Sequence, residues 1–409
     1  MGINFPNAPT LNQLWPQPPV VGQPVYIWDG QKWTTQGANS TFGAVRYDVA
    51  QALTLPQQVQ GRQNIYAAPF DAMAYNGMQV NGAMEIAQTY QFAILGNPTN
   101  GTNQFVADQW SVGRTSSFGM NCDWSGDAPP GFASSIVITI TSAAALAAGD
   151  YVGVRTIIEQ FRVRRLQFGL GSAQPFTIGF YAKAHRPGLY GGAVKDNSAT
   201  RSYPFTYTIN AADTWEYKTV TIPGDIAGAN WSPASNVGAL QLWFAVATGS
   251  TFTAAAGSWT SGNFLSATGA INGAQAATDK FLITGVNIFP GIEAPTVDRV
   301  PFIQRAQADE LALCKRYFQK IMGTTDFLTM YGYNIATATP QVTFTLPVEL
   351  RNVPIATIQG SWSASNCSGL TFTGAGIKMF SLNTTVTATG AFVISNTNSG
   401  AGLTLDARM

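Results

Sequence analysis

Apolar and polar residues alternate one by one through much of the middle of the chain, the period of a strand with one buried face. Phe176, Ile178, Phe180 and Ala182 alternate with Thr177, Gly179 and Tyr181, and Leu240, Leu242, Phe244 and Val246 follow the same rule. Phe205, Tyr207 and Ile209 form a third run, and residues 215–222 a fourth. Pro187-Gly188, Gly191-Gly192 and Pro223-Gly224 punctuate these runs as turns. Short strands separated by turns predict an antiparallel sandwich, here over 76–300. Across 281–289 the alternation changes phase at Gly285, which predicts a β-bulge.

One stretch leaves the period of two. Leu311, Cys314, Phe318 and Ile321 are spaced by three, four and three, with Glu310, Lys315, Arg316 and Lys320 off that stripe. This predicts a helix over 303–322 with an a/d face, linking two β-regions as residues 301–322. The stripe packs on the chain's own sandwich or, in the sharper alternative, forms a three-fold bundle with other copies. From 323 to 409 strands return: Val342, Phe344 and Leu346, then 355–358, 370–373 and 386–394, with Gly390 as a turn. That length suits a second sandwich.

The N-terminal 1–38 are proline- and glutamine-rich, and Pro16, Pro18, Pro19 and Pro24 favour extended chain. Tyr26-Ile27-Trp28-Asp29-Gly30-Gln31-Lys32-Trp33 predicts a hairpin with Asp29-Gly30 as a two-residue loop. Trp28 then opposes Gln31, Tyr26 opposes Trp33, and Tyr26, Trp28 and Trp33 share one face as the core of a small bead. Residues 39–75 form a connector whose weakly amphipathic part runs from Leu53 and Thr54 through Gln57, Arg62, Asn64 and Ile65. It has little of its own to bury against, which points to pairing between copies. The fold class is mainly β: an N-terminal hairpin bead, an antiparallel sandwich, one short helix and a C-terminal sandwich.

Composition narrows the chemistry. In 409 residues there are one histidine, His185, and three cysteines, Cys122, Cys314 and Cys367; charged residues make up 11 % and net charge is +1. A usual charge fraction is about 25 %. So even a charge balance supplies no field for nucleic acid or anionic lipid. Three distant cysteines make no disulfide framework and no zinc spacing, so reduced, buried thiols formed in a cytoplasm are expected. The start of the chain lacks a basic-then-apolar pattern, and the weakly polar run at 136–148 is too short and too rich in Thr and Ser to span a bilayer.

No catalytic constellation stands out, and no enzymatic activity is expected. His185 precedes Arg186-Pro187-Gly188 and reads as a hydrogen-bonded turn residue. Asp123 with Asp127, or Asp213 with Glu216, could serve a glycosidase, which needs two acids about 5–9 Å apart, but each flanks a turn and reads as solvated. Gly169-Leu170-Gly171 precedes a strand, whereas a phosphate cradle needs a helix. Arg162-Val163-Arg164-Arg165, between Phe161 and Leu166, reads as a strand with Arg162 and Arg164 on one side, a solvated or intersubunit face, with anion or interface binding as the alternative. Sugar binding needs a flat ring for the C–H face and amides for the hydroxyls. Tyr331, Tyr333, Trp362 and Asn366 supply both chemistries in a loop-rich stretch, with a core role for Trp362 as the competing reading.

Several phrases in order resemble bacteriophage and prophage tail-fibre proteins. Ile3-Asn4-Phe5-Pro6 with Tyr26-Ile27-Trp28-Asp29-Gly30 and Trp33 resembles an N-terminal bead of phage structural proteins. Leu53-Thr54 with Gln57, Arg62, Asn64 and Ile65 is similar to a fibre connector, although Tyr66 stands where glycine is usual. Asn81-Gly82-Ala83-Met84-Glu85, Val106-Ala107-Asp108-Gln109-Trp110, Arg201-Ser202-Tyr203-Pro204-Phe205 and Thr214-Trp215-Glu216-Tyr217-Lys218 resemble a carbohydrate-binding-like jelly roll. Glu310-Leu311-Ala312-Leu313-Cys314-Lys315-Arg316-Tyr317-Phe318 resembles its closing helix, and Leu346-Pro347-Val348-Glu349-Leu350-Arg351 with Pro354 the start of a tip domain.

The resemblance implies a virion-surface protein made in a bacterial cytoplasm, a homotrimer, bound to other virion proteins through its N-terminal region. It implies host attachment to surface polysaccharide at the C-terminal tip, with no nucleic acid partner and no membrane insertion. Related jelly rolls hold calcium; Asp196-Asn197 is an example of a loop that would suit it, without an oxygen-rich ligand set that assigns it, so no cofactor and no metal are assigned. Multivalent adhesion is the expected function, and a purely structural virion component is the alternative.

Overall fold

Ring packing and one carboxylate set the register at the N-terminus. The computed structural model describes residues 4–18, 24–35, 53–65, 67, 77–89, 96, 98–227, 231, 236–322, 326, 328–398 and 400–409. It divides into two compact units, Met1–Ala68 and Pro69–Met409. Of the connector expected over 39–75, residues 39–52, 66 and 68–75 lie outside the described residues.

In the first unit Leu14–Trp15, Tyr26–Trp28 and Trp33–Thr35 form a three-stranded antiparallel sheet. The expected pairing is corrected: Trp28 faces Trp33 and Tyr26 faces Thr35. The loop therefore holds four residues, because the Asp29 carboxylate accepts the N–H groups of Gln31 and Lys32, both at 2.8 Å. Those two bonds, Lys32 first, hold its pKa below the usual carboxylate value. Phe5 stacks on Trp33 at 5.0 Å and meets Tyr26 edge-on at 4.9 Å, so Tyr26 and Trp33 do share a cluster. The same unit carries a helix, Leu55–Asn64, started by the Thr54 N–H donating to Gln57 Oε1 at 2.9 Å.

Two sheets face each other over the main core of the second unit. One has seven strands in the order Thr260–Ser261, Arg201–Ile209, Gly188–Asp196, Gly238–Thr248, Tyr151–Glu159, Trp110–Thr115 and Asn103–Ala107. The other has five: Glu216–Ile222, Phe176–Ala184, Lys280–Pro290, Ser135–Ser142 and Gly119–Ser125. All pairs within these two sheets are antiparallel. Alternate residues Leu240, Leu242, Phe244 and Val246 point into the core, where Phe180 of the facing sheet lies 4.7 Å from Phe244 and 5.0 Å from Tyr207. The register of Lys280–Pro290 shifts between Thr284 and Asn287, with Gly285 at φ +62°, where a side chain is strained. Cys122, Cys314 and Cys367 are free and buried, and burial pushes the Cys122 thiol up to about 12.

The turn expected at Gly191-Gly192 is corrected, since both glycines pair within the strand Gly188–Asp196, and two further expected elements are replaced. The Arg162–Arg165 run is not a strand: Gln160–Val163 is a helical turn and Arg164–Leu166 a 3-10 turn, ended by Gln167 at φ +55°. Val163 and Leu166, three apart, are the buried pair, a helical spacing. The helix over 303–322 is also corrected, to a 3-10 turn at Val300–Ile303 and a helix at Gln307–Lys315. Phe318–Met322 is a strand paired with Gly402–Asp406, so Leu311 and Cys314 lie on the helix while Phe318 and Ile321 lie in a sheet. A ladder offered by residues some eighty positions away outweighs a local stripe too short to hold a helix alone. The chain is thus mainly β with several antiparallel sheets and a few short helices rather than one.

The C-terminal region contains three three-stranded sheets: Phe318–Met322, Gly402–Asp406 and Ile355–Gln359; Thr329–Asn334, Gly390–Ser395 and Ser363–Ser365; Gln341–Thr345, Met379–Val386 and Cys367–Ala375. Phe380, Leu382, Val386, Ile394, Leu403 and Leu405 fill its core. Charged groups tie it to the larger sandwich. Glu159, wholly buried, accepts from Arg316 Nε and Nη2 at 3.2 Å each and from the Tyr317 hydroxyl at 2.6 Å. Arg351 donates to the carbonyls of Asn236 at 2.6 Å and Ala407 at 2.8 Å. The Arg408 guanidinium lies 4.1 Å from the ring centres of both Phe105 and Phe318.

Glu159→Ala leaves the buried Tyr317 hydroxyl and the partly exposed Arg316 guanidinium without their acceptor, and is expected to cost about 3 kcal/mol. The unfolding midpoint in urea, followed by tryptophan fluorescence, measures it; Tyr317→Phe, which removes one bond, is expected to cost about 1–3 kcal/mol.

Candidate functional site

Strand alternation places Tyr331 and Tyr333 on the same side of Thr329–Asn334. Met330, just before them, points into the core, and Gly332 between them leaves room for the Phe392 ring beneath it. Both tyrosines project outward, 78 % and 67 % exposed. Across the ladder Tyr331 faces Val393, which faces Ser365, and Tyr333 faces Ala391. These neighbours are small and exposed and carry no charge. Two phenol rings therefore stand on a flat, uncharged strip, continued by Ile335 at 86 % exposure.

The other two members of the expected group do something else. Asn366 sits at φ +53° with its side chain fully engaged. Its Nδ2 donates to the carbonyls of Ala388 at 2.9 Å and Ala391 at 3.1 Å, and its Oδ1 accepts from the Ala388 N–H at 3.0 Å and the Thr387 hydroxyl at 3.1 Å. It holds the turn beside Ala391 and has no group left for a ligand. Trp362 is half-buried against the C-terminal core and donates to the Gln359 carbonyl at 3.2 Å. An amide and an indole were expected to contact sugar; structural duties occupy both.

The acidic candidates are likewise taken up by partners. Asp127 accepts from Lys183 at 2.7 Å and the Trp215 indole at 3.0 Å, and His185 Nδ1 lies 2.8 Å from Asp213 in an exposed pair. Glu216 accepts from Lys218, the Asn210 side chain, and the N–H groups of Asn210 and Ala211 at 2.6–2.8 Å. Burial raises its pKa, but these donors together outweigh burial and hold it at about 2. Asp196 accepts from Thr200 and Arg201, and Asn197 Oδ1 from Gln241. Among the described residues no three His, Cys, Asp or Glu side chains group as a metal site.

One feature escaped sequence reasoning. Pairing of Gly188–Asp196 and Tyr151–Glu159 on either side of Gly238–Thr248 brings Lys195 and Arg155 each to 5.7 Å from the Trp243 ring centre. Burial, then Arg155, pushes the Lys195 amine down to about 8. The only local signal is that Gln241 and Trp243 occupy the face opposite the core residues of their strand.

Tyr331→Ala and Tyr333→Ala are each expected to change stability by less than about 0.5 kcal/mol, whereas Asn366→Ala is expected to cost about 1–3 kcal/mol, both read from urea midpoints. Glu216 contributes stability above its unfolded value of 4.5, and that contribution is lost as pH falls towards 2. Glu216→Gln is expected to be less stable at neutral pH and to show a flatter midpoint between pH 4.5 and pH 2 than the parent chain.

No family model matches the chain, and no curated protein matches it. Three solved structures illustrate what it is similar to. The enzymatically active domain of tailspike protein 4 of bacteriophage CBA120 is 14 % identical over 48 % of this chain and 21 % of its own, with a TM-score of 0.27. A CBM4 structure is 15 % identical over 51 % and 97 %, with a TM-score of 0.26. A putative sugar binding protein from Bacteroides thetaiotaomicron is 10 % identical over 52 % and 99 %, with a TM-score of 0.27. The chain spans about a fifth of the tailspike's length, and at these scores none of the three says what this chain binds.

Proposed function

We propose that this chain is a phage virion fibre or spike protein that adheres to host-surface glycans without transforming them. The observation that carries the reading is the Tyr331–Tyr333 strip: two exposed rings on a face without charge. A sugar ring lays its C–H face on such a phenol, and an uncharged face gives up its water at little cost. The engaged carboxylates Asp127, Asp213 and Glu216 support binding rather than glycosidic cleavage, because Asp127 and Glu216 each answer a lysine and Asp213 is paired with the His185 ring.

In this reading the two facing sheets are a jelly-roll body, the N-terminal bead meets other virion proteins, and three copies present their C-terminal tips together. The protein resides on the virion surface. Each site binds weakly, and three acting together raise avidity about 10²–10⁴-fold. No helix among the described residues is long and apolar enough to cross a membrane.

A second reading, a purely structural virion component, is favoured by Phe302 at 86 % and Ile355 at 76 % exposure, side chains that a neighbouring subunit would cover. The Tyr331→Ala/Tyr333→Ala double variant separates the two. Adhesion predicts trimers by analytical ultracentrifugation and binding to susceptible cells that falls at least about tenfold in the double variant. Unchanged cell binding, or assembly that fails in the double variant, rejects the tyrosine strip as the receptor-binding face.

A further inference from the structure

We propose that a cavity beside Phe161 binds a small ring-bearing carboxylate, the uronate unit of an acidic polysaccharide. The cavity measures about 310 Å³, and Met78, Phe161, Arg162, Arg165, Arg305 and Leu313 line it. None of these residues belongs to the tyrosine strip, so the proposal goes beyond the adhesion face and stands apart from it.

Three guanidinium groups converge here because the arginine run is helical rather than extended. Arg162 and Arg165 are three apart across the turns at Gln160–Val163 and Arg164–Leu166, which puts them on one side. Arg305 arrives from the segment before the Gln307–Lys315 helix. Its charge is answered by Glu310 at 2.9 Å, and it donates to the carbonyl of Gly77 at 2.9 Å. Arg162 is different. Among the described residues it is in no ion pair, and its Nε is buried without a hydrogen-bond acceptor. It lies 5.1 Å from the Phe161 ring centre, and Arg316 lies 5.7 Å from the same ring. Arg316 already has Glu159. The local excess of positive charge is therefore centred on Arg162, and an oxyanion is the missing partner.

The rest of the wall selects what carries that oxyanion. Phe161 is 40 % exposed, so part of its ring stays open beside the Arg162 and Arg316 guanidiniums, and Met78 and Leu313 add apolar surface. Small-molecule pockets run from about 300 to 1,000 Å³, so this one is at the size of a single ring. A carboxylate for Arg162 and a C–H face for Phe161 together describe a uronate better than a bare inorganic anion or a neutral hexose.

The test uses the full chain, titrated calorimetrically with D-galacturonate, D-glucuronate, D-glucose and sulfate at low and raised salt. A uronate is expected to bind once per chain, more weakly as salt rises, while glucose does not bind. Arg162→Gln is expected to weaken uronate at least about tenfold with an unchanged circular dichroism spectrum. Phe161→Ala is expected to weaken uronate more than sulfate. Tyr331→Ala is expected to leave uronate binding unchanged, so failure here and failure of the adhesion face are separable. Uronate binding no better than glucose overturns the proposal, as does sulfate binding without uronate binding. Undiminished affinity in Arg162→Gln also overturns it; if that variant does not fold, undiminished affinity in Phe161→Ala does so.

Discussion

A buried carboxylate, Glu159, fixes how the C-terminal region joins the larger sandwich. It ends a strand of the seven-stranded sheet with no water to solvate it, so its charge needs partners. Arg316 and Tyr317 supply them. Both follow directly on the Gln307–Lys315 helix, so meeting Glu159 fixes where that helix ends and in which direction the chain leaves it. Phe318–Met322 then enters a sheet with Gly402–Asp406, and the remaining C-terminal strands are built out from there. Arg351 and Arg408 reinforce the same junction from the other end of the chain.

The scarcity of charge gives this arrangement its character. With charged residues at 11 %, many of the ionic groups are spent on positioning: Arg201 on Asp225, Arg186 on Asp279, Arg305 on Glu310. What is left on the outside is largely hydroxyl, amide and ring. The Tyr331–Tyr333 strip is such a surface, and the Phe161 cavity is the contrasting one, where guanidinium charge is concentrated. Under the proposed reading the two meet different parts of a glycan by different physics, the first by ring stacking and easy loss of water, the second by an ion pair in a partly enclosed wall.

Alternation was a faithful guide to where the central strands lie, although both faces of these strands are largely buried. Phe176–Ala184, Arg201–Ile209 and Gly238–Thr248 follow their predicted runs within a few residues, and the phase change at Gly285 marks a register shift. Prediction failed where a distant partner competes with a local pattern. Phe318 and Ile321 complete a helical stripe on paper, yet they pair with strand residues near the end of the chain. Arg162 and Arg164 alternate like strand residues, yet Val163 and Leu166 must both reach the core, and only a helical turn lets them. At Asp29 a side-chain bond to two backbone N–H groups lengthened a turn that residue type alone made short.

The candidate site divides along the same line. Tyr331 and Tyr333 stand exposed on one face, as strand alternation requires of two rings with one residue between them. Residue chemistry was not enough to say that Asn366 is consumed by a turn, that Trp362 leans on a core, or that Arg162, Arg165 and Arg305 meet around Phe161. By itself the sequence determined the β-class, the positions of several central strands and the buried, unpaired state expected of its cysteines, because those depend on period and composition. Tertiary structure alone decided which polar groups remain available to a ligand, because availability depends on what residues far apart in the chain have already satisfied.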